Sequence, residues 1–138
     1  MTTAAAALAF VWLGMVLAIS FVEAPLKFRA PNVTIPIGLG IGRLVFKALN
    51  GIECVLAVAV LGLVLVGGAG VGVIASLAVV LVVLVVQLAA VRPRLNRRSD
   101  AVLAGEEGPR SHAHVAYVAL ECVKVVGLIV LGVLALAV

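Results

Sequence analysis

Four apolar stretches dominate the chain, at roughly residues 3–22, 40–66, 71–91 and 112–137, and each is almost free of charge. A bilayer-spanning helix needs about 20 such residues, because it rises about 1.5 Å per residue through a hydrocarbon core of about 30 Å. In a chain of 138 residues, four spans and their connections leave no room for a separate extramembrane domain. With 65% hydrophobic and only 12% charged residues, a water-soluble monomer is excluded, since soluble domains carry about twice that charge. The stretches are continuous runs of Val, Leu and Ala, not the alternating segments of a transmembrane barrel. The expected fold is therefore all-α, an integral membrane four-helix bundle in a single domain.

The boundaries follow from breakers and charges. The first stretch meets Glu23 and Pro25, and no basic residue precedes it, so it reads as a span and not as a cleaved signal. The second enters between Gly38 and Leu44 and ends at the Gly67-Gly68-Ala69-Gly70 hairpin. The third meets Arg92 and Pro93, after which Leu95 to Leu103 reads as a short helical extension that Gly105 ends and Gly108-Pro109 turns. The fourth follows Ser111, a good N-cap residue.

Nine of the ten Lys and Arg residues fall on one side of these spans: Lys27, Arg29, Arg43, Lys47, Arg92, Arg94, Arg97, Arg98 and Arg110. By the positive-inside rule both polar loops are cytoplasmic and both termini outside, in a cell inner (plasma) membrane. This asymmetry accounts for the net charge of +4, so no nucleic-acid partner is expected. Trp12 is the only tryptophan, which leaves no aromatic belt to fix helix depth, and no heptad repeat stands out.

The informative residues are the polar ones inside the spans. At about 100° per residue, Arg43, Lys47, Asn50, Glu53 and Cys54 share an arc of about 120° on the second span. His114, Tyr117, Glu121 and Lys124 share about 80° of the fourth. Both spans start at the cytoplasmic side, so the stripes match in depth, with Glu53 and Lys124 near the bilayer midplane. An unpaired charge there costs at least about 2.5–3.5 kcal/mol, so Glu53 is expected to pair with Lys124, and Glu121 with Lys47 or Arg43. Glu23 adds a charge at the rim, and Gln87 marks an otherwise apolar third span that supports from behind.

Other motifs carry less. Gly38, Gly40 and Gly42 before Arg43 could receive an anion, but they also read as a helix-contact GxxxG, and packing is the favoured reading. His112 and His114 diverge on a helix and cannot readily share an ion; His114 alone could serve haem as an axial ligand. Cys54 and Cys122 fit small packing residues better than a thiolate site. No CxxC, HExxH or GxSxG motif exists, so no metal and no hydrolytic site is expected. The segment from Glu23 to Asn50 combines breakers with Phe28, Val33, Ile35 and Ile37, and reads as a connection dipping into the membrane surface.

A proline and Phe28 after the first span, the Gly38 to Phe46 entry with an acidic residue soon after, Pro93 and Arg94, and His114 opening the fourth span together resemble a known pattern. It is that of small four-helix membrane proteins including the animal transmembrane protein associated with cisplatin resistance, and more distantly the copper-resistance-D-like group. The resemblance implies the four-span architecture and no settled chemistry, so it assigns no residue a role.

The expected function is binding or transport of a small ligand or ion in a cytoplasm-facing polar cavity between spans two and four, lined by Arg43, Lys47, Asn50, Glu53, His114, Tyr117, Glu121 and Lys124, in a homo-oligomer. The alternatives are a non-catalytic accessory subunit of a larger membrane complex, and a haem- or quinone-linked redox protein.

Overall fold

The computed structural model describes residues 1–105 and 112–137, and within them the chain is four long helices. These are α1 (Thr2–Arg29), α2 (Ile35–Gly67), α3 (Val71–Leu103) and α4 (His112–Leu136), all long and apolar enough to cross a membrane. The all-α bundle of four potential spans is thus the observed architecture of a multi-pass membrane protein. The turn expected at Gly108-Pro109 and the cap at Ser111 lie outside the described residues.

Consecutive helices run up and down around a ring. α1 packs between α2 and α4, α4 packs between α1 and α3, and the α2–α3 contact is the sparsest. α2 and α4 are therefore parallel and diagonal, and side chains near the middle of each meet across the centre. A Cβ on Gly67 would lie 2.6 Å from Cβ of Met1, and one on Gly72 would lie 3.0 Å from Leu134 Cδ1, which puts the hairpin and both terminal helix ends together. Among the described residues, the prolines and most of the Lys and Arg residues gather at the other end.

The helices are longer than the apolar runs. α1 continues through Glu23 and Pro25, and α3 through Pro93, instead of stopping there. A proline within a helix removes one N–H and crowds the carbonyl four residues back. Here a π-helical segment stands just before each proline, Leu17–Glu23 ahead of Pro25 and Gln87–Val91 ahead of Pro93. The wider turn relieves the crowding without breaking the helix. α2 begins earlier than its apolar run because Thr34 caps it, its Oγ1 accepting from the Ile37 N–H at 3.3 Å, with Pro36 in the first turn. Gly68 closes α2 with φ 64°, a left-handed cap that suits glycine.

Each helix buries a seam at spacings of three and four. On α4 it runs Tyr117, Glu121, Lys124, Leu128, Leu131 and Ala135; on α3, Val73, Leu77, Val80, Leu84, Gln87 and Val91; on α1, Ala5, Ala9, Trp12 and Val16. This is the interlocking pattern of coiled-coil packing, which the sequence conceals because the lipid-facing positions are equally apolar. The seams divide the interior into layers. The hairpin end is dry and tightly packed, with Ala5, Ala9, Val64, Val73, Leu131 and Ala135 among its residues. The middle is polar. The basic end is covered by aromatic rings and cations.

Candidate functional site

Lys124 sits midway along α4 with its side chain 0% exposed, and its ammonium is enclosed by three acceptors. Nζ lies 2.5 Å from Glu53 Oε2 on α2 and 2.6 Å from Glu121 Oε1 one turn earlier on α4, and it donates to Gln87 Oε1 on α3 at 2.8 Å. An ammonium has three N–H donors, so its capacity is filled. The two carboxylates are held in turn from α1. Trp12 Nε1 donates to Glu53 Oε2 at 2.8 Å, and the Ser20 hydroxyl donates to Glu121 Oε2 at 2.7 Å. Asn50 Nδ2 donates to Glu53 Oε1 at 3.1 Å and reaches the Tyr117 hydroxyl at 3.4 Å, while Gln87 Nε2 lies 3.4 Å from Glu121 Oε1. Glu53, Gln87 and Lys124 are 0% exposed and Glu121 1%, so solvent is excluded from the cluster. In surroundings without water every such group must find its partner within the protein.

Toward the basic end, aromatic rings and cations alternate above this cluster. Arg92 Cζ lies 4.5 Å from the Tyr117 ring centroid and 5.0 Å from that of Phe46, and the two rings meet edge to face at 5.8 Å. Lys27 Nζ is 5.8 Å from the Phe46 centroid and 5.6 Å from that of Phe28. Cation–ring contacts contribute about 0.5–2 kcal/mol, most when water is absent. The Phe28 ring covers Gly38 so closely that a Cβ there would come within 2.2 Å of it, and a Cβ on Gly42 would lie 3.0 Å from Lys27 Nζ. These glycines therefore serve the packing of α2 against the end of α1.

The residues singled out from sequence separate into two groups. Asn50, Glu53, Tyr117, Glu121 and Lys124 converge, and the expected Glu53–Lys124 pair forms. Arg43 instead pairs with Asp100 on the helical extension of α3, Lys47 is exposed, and Glu23 pairs with Lys27 at 3.6 Å. The expected pairing of Glu121 with Lys47 or Arg43 does not occur, because Lys124 is one helical turn away on the same seam and reaches both carboxylates. His114 is exposed near the start of α4. Cys54 and Cys122 are unpaired and exposed, facing outward from α2 and α4.

Three participants escaped the sequence reading: Trp12, Ser20 and Gln87. α3 does not merely support from behind, since Gln87 bonds the ammonium directly. The available signals were depth and rarity: a lone tryptophan in the middle of a span is far from the interface where tryptophan ordinarily anchors, and Gln87 is the only amide in its stretch. Ser20 and Gln87 both lie on the π-helical segments; Gln87 continues the three-and-four seam of α3 from Leu84, and Ser20 reaches Glu121 from α1. Compared with family models, curated proteins and solved structures, the chain matches none.

Proposed function

We propose that this protein binds or moves a small ion or ligand through its polar core, reached from the basic end of the bundle, which faces the cytoplasm of a plasma or inner membrane. The observation that carries this reading is the convergence of all four helices on one buried cluster of two carboxylates and an ammonium. Trp12 and Ser20 come from α1, Asn50 and Glu53 from α2, Gln87 from α3, and Glu121 with Lys124 from α4. Helices associate in lipid through small residues and close packing, and the dry hairpin end already provides that. Ionisable groups at membrane depth more often belong to ion pathways and proton relays. The ring-and-cation layer of Phe46, Arg92 and Tyr117 then acts as the cover of the site, and entry requires Arg92 to leave the rings. A bundle this small gives a narrow route through one subunit, which favours a homo-oligomer.

The filled coordination of Lys124 favours a second reading, in which the cluster is a lock that sets helix register in an accessory subunit of a larger membrane complex. Proteoliposomes loaded with a pH-sensitive dye under an imposed gradient separate the two. Wild-type protein is expected to dissipate the gradient, and the Glu53→Gln/Lys124→Met double variant to remain folded without doing so. Equal flux from both, or none from wild type, would overturn the ion-moving reading. Isolation of the protein in fixed ratio with larger membrane chains would then support the accessory reading.

A further inference from the structure

We infer that the Arg92 guanidinium is the receptor for an oxyanion, a phosphate or carboxylate group, at the basic mouth of the core. This rests on the reading above that the core is reached from that end, and it names the chemical class of what arrives there. Arg92 is half-buried as a residue, but its Nε and Nη2 are covered and bonded to nothing. Those two N–H groups lie side by side on one edge of the guanidinium, the edge that engages two oxygens of a carboxylate or phosphate together. Donors of a cation are costly to leave unspent away from water, so the edge calls for an acceptor.

The chain's own acids are engaged elsewhere. Among the described residues they are Glu23, held by Lys27, Asp100, held by Arg43, and Glu53 and Glu121, both held by Lys124. The rings beside Arg92 attract its charge, with Cζ 4.5 Å from the Tyr117 centroid and 5.0 Å from that of Phe46, but a π-cloud is a weaker acceptor than an oxygen.

Charge identifies a second participant. Counted with Arg92 the inner groups come to zero, two carboxylates against an ammonium and a guanidinium, so an arriving oxyanion needs one more cation. Lys47 is placed to give it. It follows Arg43 by one turn on the same side of α2, and Arg43 reaches Asp100 on the helical extension that Arg92 begins. Lys47 is exposed and, among the described residues, pairs with no acid. The oxyanion draws Arg92 off Phe46 and Tyr117 by offering the two acceptors that the rings lack, and the layer over the polar core parts. No covalent bond changes; one side chain exchanges partners.

Nuclear magnetic resonance of the full chain, with isotope-labelled arginine in phosphate-free maltoside micelles, tests this through the arginine Nε–H signals. The Arg92 signal is the one lost in Arg92→Lys; where that variant does not fold, it is the one that moves in Phe46→Leu as the ring is removed. Inorganic phosphate is expected to shift it to a saturating limit, and sodium chloride at the same ionic strength to leave it in place. By calorimetric titration, phosphate should bind about tenfold more weakly to Arg92→Lys, which keeps the charge and loses the paired edge, and about threefold more weakly to Lys47→Ala. Short-chain phosphatidylglycerol is the second probe. Tighter binding of the lipid than of phosphate places the oxyanion on a headgroup, and the reverse makes it a soluble anion; both support the site. An Arg92 signal that neither probe moves, or that chloride moves equally, overturns it. The two proposals fail separately. Flux with an unresponsive Arg92 overturns the oxyanion site and leaves ion movement standing, whereas a responsive Arg92 without flux supports the site and overturns transport.

Discussion

Two groups of charges of the same kinds lie along this bundle and differ in almost everything that matters energetically. At the basic end Arg43 pairs with Asp100, with side chains 37% and 63% exposed; in the centre Lys124 pairs with Glu53 and Glu121 at 2% exposure or less. Water screens the first pair and would solvate either partner alone. The second has no such recourse, and removing one member leaves a charge that nothing else can satisfy. Exposed pairs typically contribute about 0–1 kcal/mol, whereas breaking a buried one costs about 3–5 kcal/mol. Residue type therefore does not measure the importance of a charge in this chain; burial does.

The largest effect is expected from Lys124→Met, a loss of about 3–5 kcal/mol in stability, read as a lower midpoint of thermal unfolding by circular dichroism in detergent. Adding Glu53→Gln to it should recover part of that loss, since it removes one of the two carboxylates that Lys124→Met leaves without their ammonium. A double variant as unstable as Lys124→Met would show that the Glu53–Lys124 pair is not the contact that sets the loss. Next comes Gly127→Ala, whose new Cβ would lie 2.7 Å from Cγ2 of the fully buried Val80. Overpacking of this kind costs about 1–3 kcal/mol, and Val80→Ala in the same chain should relieve it. Relief would establish that the dry layer, unlike the polar one, is limited by volume alone.

A smaller loss is expected from Trp12→Phe, which keeps an aromatic ring in the seam and removes the N–H given to Glu53. Leaving that acceptor short of a donor should cost about 1–3 kcal/mol, and flux should change with it if Trp12 tunes the site and does more than fill space. The smallest effect belongs to Asp100→Asn, at about 0–1 kcal/mol, fading as salt is added. A loss there as large as that from Lys124→Met would break the contrast between the two charged regions.

Fold class was legible in the sequence because the bilayer sets a length and composition that nothing else in the chain satisfies. The stripe on α4 was equally legible, since spacings of three and four place His114, Tyr117, Glu121 and Lys124 on one side of any helix. Matching depths on two parallel spans were enough to anticipate the Glu53–Lys124 pair. Helix ends were less legible. Pro25 and Pro93 look like terminators until the π-helical turns before them are seen, which let each helix run on past its proline.

The buried seams of α1 and α3 were beyond reach for a different reason. In water, the contrast between apolar core and polar surface reveals which side of a helix is inside; in lipid both sides are apolar and the contrast vanishes. The sequence by itself determined four apolar helices, their alternation, the accumulation of positive charge at one end, and which residues were too polar to face lipid. Only the tertiary structure decided that Trp12, Ser20 and Gln87 join those residues, that Lys124 is shared between two carboxylates, and that Arg43 and Lys47 stand apart from it. Spacing along one helix fixes direction around its own axis, but which directions meet depends on the order and rotation of four helices against each other, and those are set by the packing of all four at once.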